Sequence, residues 1–258
     1  MKTLIVLLTF ILSITTAQAQ QYCGYDKVAN HTPKITLVNY ALYTEQFELS
    51  NWTKSNLTST ANTVVAPDGT LTGDTITLTS LAGSSARYLY ATAVVSIGNQ
   101  SSRREGIHLK KGTHAYARIY SQYPSTASTD VNLNDCSILR TGATNTTSFS
   151  IAVTNGWCLV GFTHTPTNNN ALPTIEPLKD ASSPTGTSWT STGAETFYVW
   201  GSQVNLAADD PTYVKTTTKA VYTGPICLVG TYESALDPTK CFPIARKGTD
   251  YILGGLFN

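Results

Sequence analysis

The sequence predicts an all-β fold, most simply an antiparallel β-sandwich, and three observations carry that prediction. Helical periodicity is almost absent beyond the N-terminal apolar run. Short runs rich in Val, Ile, Thr, Tyr and Phe recur along the chain, and Gly, Pro, Asn and Ser punctuate them. This is the texture of a sandwich or barrel. In order, the strand-like runs are 62–65, 74–80, 87–96, 113–123, 147–154, 157–163 and 195–205, enough for two packed sheets. Between the first two, Pro67-Asp68-Gly69 reads as a turn: proline presets the first dihedral and glycine accepts a positive one. Residues 165–193, with Asn168-Asn169-Asn170 and four prolines, read as a long loop pair and the place for a ligand-facing excursion.

The two ends differ from this middle. Lys2, the apolar run 4–14 and Ala17-Gln18-Ala19 have the charged start, short hydrophobic stretch and small-residue cleavage pattern of a secretory signal peptide, so residues 1–19 are expected to be removed. No later segment is long and apolar enough to span a bilayer, and the expected product is exported, periplasmic or extracellular. Residues 20–38 are expected to form an N-terminal segment and 218–258 a C-terminal extension on either side of the β-rich middle. That extension carries Cys227, Cys241, Pro225, Pro238, Pro243 and the apolar end Tyr251-Ile252-Leu253. An apolar end of this kind must be covered, either by the sandwich edge or by another subunit through self-assembly.

Composition limits the function classes. Charged residues make up 13% of the chain and the net charge is +1, against roughly a quarter charged in an average domain. A nucleic-acid partner is therefore not expected, since counterion release needs several Lys or Arg on one face. Arg103-Arg104 with Lys110-Lys111, interrupted by Glu105, reads as a solvated loop. The chain has no nucleophile elbow, zinc helix, Cys-x-x-Cys, phosphate-cradling glycine loop or calcium-hand run. Glu45, Glu48, Glu105, Glu176, Glu195 and Glu233 are the glutamates available to a glycosidase, which needs two opposed carboxylates at no fixed spacing. Most lie beside turns, and the expectation is that the protein is not an enzyme. His31, His108, His114 and His164 are scattered and read as structural or surface residues. The Asn-x-Ser/Thr triplets at Asn30, Asn51, Asn56, Asn99 and Asn145 read as chance products of a Thr- and Asn-rich chain.

A series of motifs carries a family resemblance. Asn39, Leu42, Thr44, Glu45 and Phe47 are followed by Trp52 and Lys54, then Ala66-Pro67-Asp68-Gly69-Thr70 and Thr72-Gly73-Asp74. Later come Asn155-Gly156-Trp157, then Phe197-Tyr198-Val199-Trp200-Gly201-Ser202-Gln203-Val204, and Tyr213-Val214-Lys215-Thr216. In this order they resemble the jelly-roll domains of carbohydrate-binding-module type found in phage tail-fibre and virion-associated proteins. The resemblance covers residues 39–217 and implies a jelly roll that binds glycans or surface polymers. It also implies packing roles for Trp52, Trp157 and Trp200. Within the matched region Cys136 and Cys158 fall in neighbouring strand-like segments and are expected to pair; Cys227 and Cys241 would then link the extension. Cys23 is left over, to bridge between molecules, to replace a tail cysteine or to stay free. No cofactor is implied, although such sandwiches leave room for a structural calcium.

Sugar recognition needs flat aromatic rings against the apolar face of a pyranose, with polar side chains for its hydroxyls. In the run 113–123, His114, Tyr116, Arg118, Tyr120 and Gln122 alternate with Ala115, Ala117, Ile119 and Ser121. The first set is either a ligand platform or, as alignment with the family strand implies, partly core; a one-residue slip exchanges the two. Trp189 lies in the loop region without a counterpart in the family pattern and is the preferred exposed aromatic. The candidate ligand-binding residues are therefore Trp189, His114, Tyr116, Arg118 and Tyr120. The sequence-based reading is an exported, non-enzymatic carbohydrate-binding or adhesion module. The alternatives are a structural subunit of a phage particle or appendage and, third, a polysaccharide-degrading enzyme.

Overall fold

The computed structural model describes residues 36–83, 87–92, 102–122, 125–143, 146–166, 173–183, 189–207, 212–219, 221–223, 244–247 and 250–253. The expected signal peptide, Cys23 and the Cys227–Cys241 pair lie outside them. The chain divides into a unit Leu37–Tyr222 and a unit combining Met1–Thr36 with Thr223–Asn258.

Sixteen strands are described: β1 Thr36–Asn39, β2 Trp52–Ser55, β3 Leu57–Val64, β4 Gly73–Leu78, β5 Tyr88–Ala91, β6 Arg103–Lys111, β7 Tyr116–Ser121, β8 Ser128–Asn132, β9 Ser137–Thr141, β10 Thr147–Val153, β11 Trp157–His164, β12 Pro173–Pro177, β13 Thr196–Leu206, β14 Val221–Thr223, β15 Ile244–Lys247 and β16 Asp250–Leu253. The larger unit contains two six-stranded sheets. The first has the order β10-β11-β6-β13-β4-β3 and the second β2-β5-β12-β7-β8-β9. Neighbours within both sheets run antiparallel. β1 with β14, and β15 with β16, form two small sheets. The fold is thus the all-β antiparallel sandwich expected from alternation.

The core lies between the two large sheets. Ile76, Leu78, Ile107, Leu109, Val160, Phe162, Phe197 and Val199 from the first meet Leu89, Ala117, Ile119, Val131 and Ile175 from the second. Fully burying each large side chain contributes about 1.5–3 kcal/mol. Cys136 and Cys158 form a disulfide with a Cα–Cα distance of 5.5 Å, as the resemblance implied. It ties the turn between β8 and β9 to β11, and so one sheet to the other.

The motif residues form a polar seam, with Asn39 and Glu45 bonded around β13 of the first sheet and its neighbours and Lys54 on β2 of the second. Asn39 is fully buried. Its side-chain amide donates to the carbonyls of Ser202 and Val214 at 3.0 and 2.8 Å, while its oxygen accepts from the amides of Ala41 and Val204, both at 3.0 Å. Glu45 accepts from the Tyr213 hydroxyl at 2.9 Å and from Lys215 at 2.6 Å. Lys54 donates to four carbonyls, those of Phe47, Glu48, Leu49 and Trp52, at 2.8–3.1 Å. These contacts account for the chemistry of the opening and closing motifs: buried main-chain groups need partners, and long-range side chains supply them. The Trp200 and Tyr213 rings and His108 pack beside the seam, where burial holds the His108 imidazole down at about 4. Gly201 adopts φ +59° at the β13 bulge, and a Cβ there would stand 3.0 Å from His108 Nδ1.

Several sequence-based expectations are corrected. Arg103 and Glu105 are not in a solvated loop but in β6, on the face that carries Ile107 and Leu109, and both are fully buried. Glu105 Oε1 lies 2.7 Å from His164 Nε2 on β11. Charge hid this strand, because burial of a carboxylate is tolerated when a neighbouring strand supplies a hydrogen-bond partner. The loop reading of 165–193 misses β12. Prolines at both of its ends argued against a strand, yet Pro173–Pro177 is paired on both sides within the second sheet. Strands β2, β8 and β9 were also unread, being short and Ser-, Thr- or Asn-rich. By contrast, the Pro67–Gly69 turn forms as read, with Gly69 at φ +87° and Asp68 accepting from the Thr70 amide at 2.9 Å.

Candidate functional site

The outward face of the second sheet gathers aromatic side chains from strands distant in sequence. In β7, Ala117, Ile119 and Ser121 are buried while Tyr116, Arg118 and Tyr120 alternate with them as half-buried residues on the opposite side. The family-strand alignment that would put Tyr116 and Tyr120 in the core does not hold. In β5, Leu89 and Ala91 are buried and Tyr88 and Tyr90 share the outward face. β12 lies between β5 and β7, and its register sets Thr174 opposite both Tyr90 and Tyr120. The two tyrosines are therefore two strand spacings apart, about 9.6 Å, with Thr174 as a buried floor between them.

An open groove of about 340 Å³ follows, lined by Tyr88, Tyr90, Tyr120, Gln122 and Ser125. The rings of Tyr88 and Tyr90 lie 5.6 Å apart at 48°. Burial, then the nearby Glu176 carboxylate and Tyr88, push the Tyr120 hydroxyl up to about 12, so it stays protonated and able to donate. Together the groove offers apolar ring surface, phenolic hydroxyls, one amide and one hydroxyl. It can hold a small polar molecule that has an apolar face.

The next row of the same face is charged. Glu176 stands opposite Arg118, Arg118 opposite Asp130, and Asp130 opposite Arg140. Asp130 pairs with both guanidinium groups: it accepts a hydrogen bond from Arg140 Nε at 2.6 Å, and Arg118 Nε lies 3.1 Å away as an ion pair. Arg118 also donates to Ser128 Oγ at 3.0 Å, and Arg140 to the carbonyls of Ala181 and Ser183. Asp130 is only 1% exposed, which two cationic partners make tolerable.

The five candidate residues read from sequence do not form one cluster. Tyr120 lines the groove, Arg118 stands one row away and Tyr116 a row further. His114 and Trp189 pair elsewhere, their rings stacked at 5.4 Å and 11°, with the Arg87 guanidinium 4.6 Å from the Trp189 centroid. Trp189 is half-buried against the main core and so is not the exposed aromatic expected. Arg87 also donates to the Trp189 carbonyl at 3.0 Å. His114 is buried, which lowers its pKa, and its Nε2 lies 2.9 Å from the Tyr116 carbonyl. Tyr88, Tyr90 and Ser125 were missed. The signal available for the first two was the Tyr-x-Tyr alternation at 88–90, a counterpart to that at 116–120. Among the described residues no group of three or more His, Cys, Asp or Glu could hold a metal ion, and no helix is long and apolar enough to cross a membrane.

No family model and no curated protein matches the chain. A search of solved structures finds similarity to the enzymatically active domain of bacteriophage CBA120 tailspike protein 4, at 17% identity and a TM-score of 0.36. The match covers 68% of this chain, which spans 22% of the length of that tailspike chain. The expectation that the chain is not an enzyme is withdrawn: the structure found is that of an enzymatically active domain, and at this TM-score it assigns the chain no activity.

Proposed function

We propose that this chain is an exported protein whose sandwich binds glycans or glycan-like surface polymers through the groove of Tyr88, Tyr90 and Tyr120. One observation supports the reading above the others. Three tyrosines from two strands that are not neighbours line an open groove together with Gln122 and Ser125, and the strand between them sets the buried Thr174 opposite both Tyr90 and Tyr120. A pyranose ring has an apolar C–H face and an equatorial girdle of hydroxyls, and this lining offers flat rings to one and amide and hydroxyl groups to the other. Arg118 and Tyr116 extend the same face. The charged start and apolar run at residues 2–14 support export.

A glycan array on the folded protein, followed by titration of the best ligand, tests the proposal. Binding that is lost in Tyr90→Ala and Tyr120→Ala supports it. A flat array from protein whose circular dichroism shows the intact β-fold removes it.

A further inference from the structure

We infer that the tyrosine groove selects neutral sugars and rejects acidic ones; the inference rests on the glycan-binding reading above. Acidic sugars carry carboxylate or sulfate groups, and proteins hold these with arginine forks or lysines that have donors to spare. The arginines of this face are committed elsewhere. Arg140 gives Nε to Asp130 and both terminal nitrogens to the carbonyls of Ala181 and Ser183. Arg118 is ion-paired with Asp130, its Nε 3.1 Å from the carboxylate, and donates Nη2 to Ser128 Oγ. Asp130, almost fully buried, receives both positive charges and fixes both side chains in place.

The charge of the row is balanced as well. Two arginines face two carboxylates, Glu176 and Asp130, and the groove lining itself contains no charged residue. The carboxylate nearest the tyrosines is Glu176, whose field acts on the Tyr120 hydroxyl and raises its pKa. A sugar acid seated against Tyr120 would meet that same field and lose water without gaining a cation, which is unfavourable. A neutral sugar needs only the stacking surface and the amide and hydroxyl groups already present.

The test places neutral glycans beside uronate-, sialyl- and sulfate-bearing glycans on one array, probed with the full chain after export, at low and high salt. The strong ligands are expected to be neutral, with affinity changing less than about twofold between low and high salt, because no ion pair with the ligand is screened. Hits concentrated among acidic glycans, or affinity falling more than about tenfold with salt, overturn the inference while leaving glycan binding standing. A uniformly flat array from folded protein removes both together. A second measurement uses Glu176→Gln. Removing the carboxylate is expected to raise binding of acidic sugars at low salt by about threefold or more, through loss of like-charge repulsion. No gain there, with neutral ligands still bound, overturns the charge-exclusion argument.

Discussion

The motif seam and the groove on the outward face of the second sheet use polar side chains in opposite ways. At the seam, Asn39, Lys54 and Glu45 exhaust their hydrogen-bonding capacity on main-chain carbonyls, amides and near neighbours. At the groove, Tyr88, Tyr90, Gln122 and Ser125 surround open volume. The seam holds the residues with the richest sequence motifs, and the groove holds almost none. Motif density here therefore marks where the chain must satisfy its own buried backbone, and the binding surface has to be sought where side chains are left to solvent.

The sharpest way to break this contrast is Asn39→Ala. It removes four hydrogen bonds inside a fully buried pocket and is expected to cost about 3–5 kcal/mol in urea unfolding, since stranded buried partners cost about 1–3 kcal/mol each and do not add fully. A loss below about 1 kcal/mol would show that the seam is not a structural lock.

Next in size is the disulfide that joins the two sheets. The bond closes a span of 22 residues, and replacing both Cys136 and Cys158 by Ser is expected to lower stability by about 3 kcal/mol in the chain-entropy description. Thermal unfolding with and without reductant reads this directly. A variant whose stability matches the parent under oxidising conditions would mean the core alone holds the sheets together.

Smaller effects are expected on the groove side, and in binding, not folding. Tyr90→Ala and Tyr120→Ala should each weaken the best glycan by about tenfold, equivalent to about 1.4 kcal/mol. Their melting temperatures should move little, because both side chains are only half-buried on the outward face. Equal losses of stability and binding would assign these rings to packing instead.

The smallest effect concerns His108 and pH. Burial holds its folded pKa down at about 4, below that of an unfolded histidine, so the stabilisation is complete above about pH 6.5 and is lost as pH falls toward the folded value. At pH 5.5 the loss is about 1 kcal/mol. In His108→Gln the slope of stability between pH 7 and 5.5 should flatten by that amount, and an unchanged slope would show that His108 is not the titrating group. Asp74 has the opposite sense: burial raises its folded pKa to about 6, so its contribution falls as pH rises through that value. His108→Gln and Asp74→Asn are therefore expected to change the pH profile in opposite directions.

Much of the fold could be read from local pattern. Alternation placed Ala117 and Ile119 on one face of β7 and Tyr116, Arg118 and Tyr120 on the other, and this is the arrangement observed. Gly69 at the turn and the Cys136–Cys158 bridge also follow from the reading. Where charge or proline broke the pattern, the reading failed. β6 carries Arg103 and Glu105 inward because His164 of β11 comes to meet Glu105, and β12 runs between two prolines because its neighbours supply the pairing that proline was expected to forbid.

The sequence by itself determined the β class and the alternation that turns tyrosines outward, because these depend on neighbours one or two positions apart. Only the tertiary structure decided which tyrosines share a groove. β5 and β7 are not adjacent in their sheet, and β12, drawn from more than fifty residues further along the chain than β7, enters between them and sets Tyr90 and Tyr120 on either side of Thr174. Such long-range pairing is chosen by burial of the whole inner face against the opposing sheet, and no local pattern encodes it.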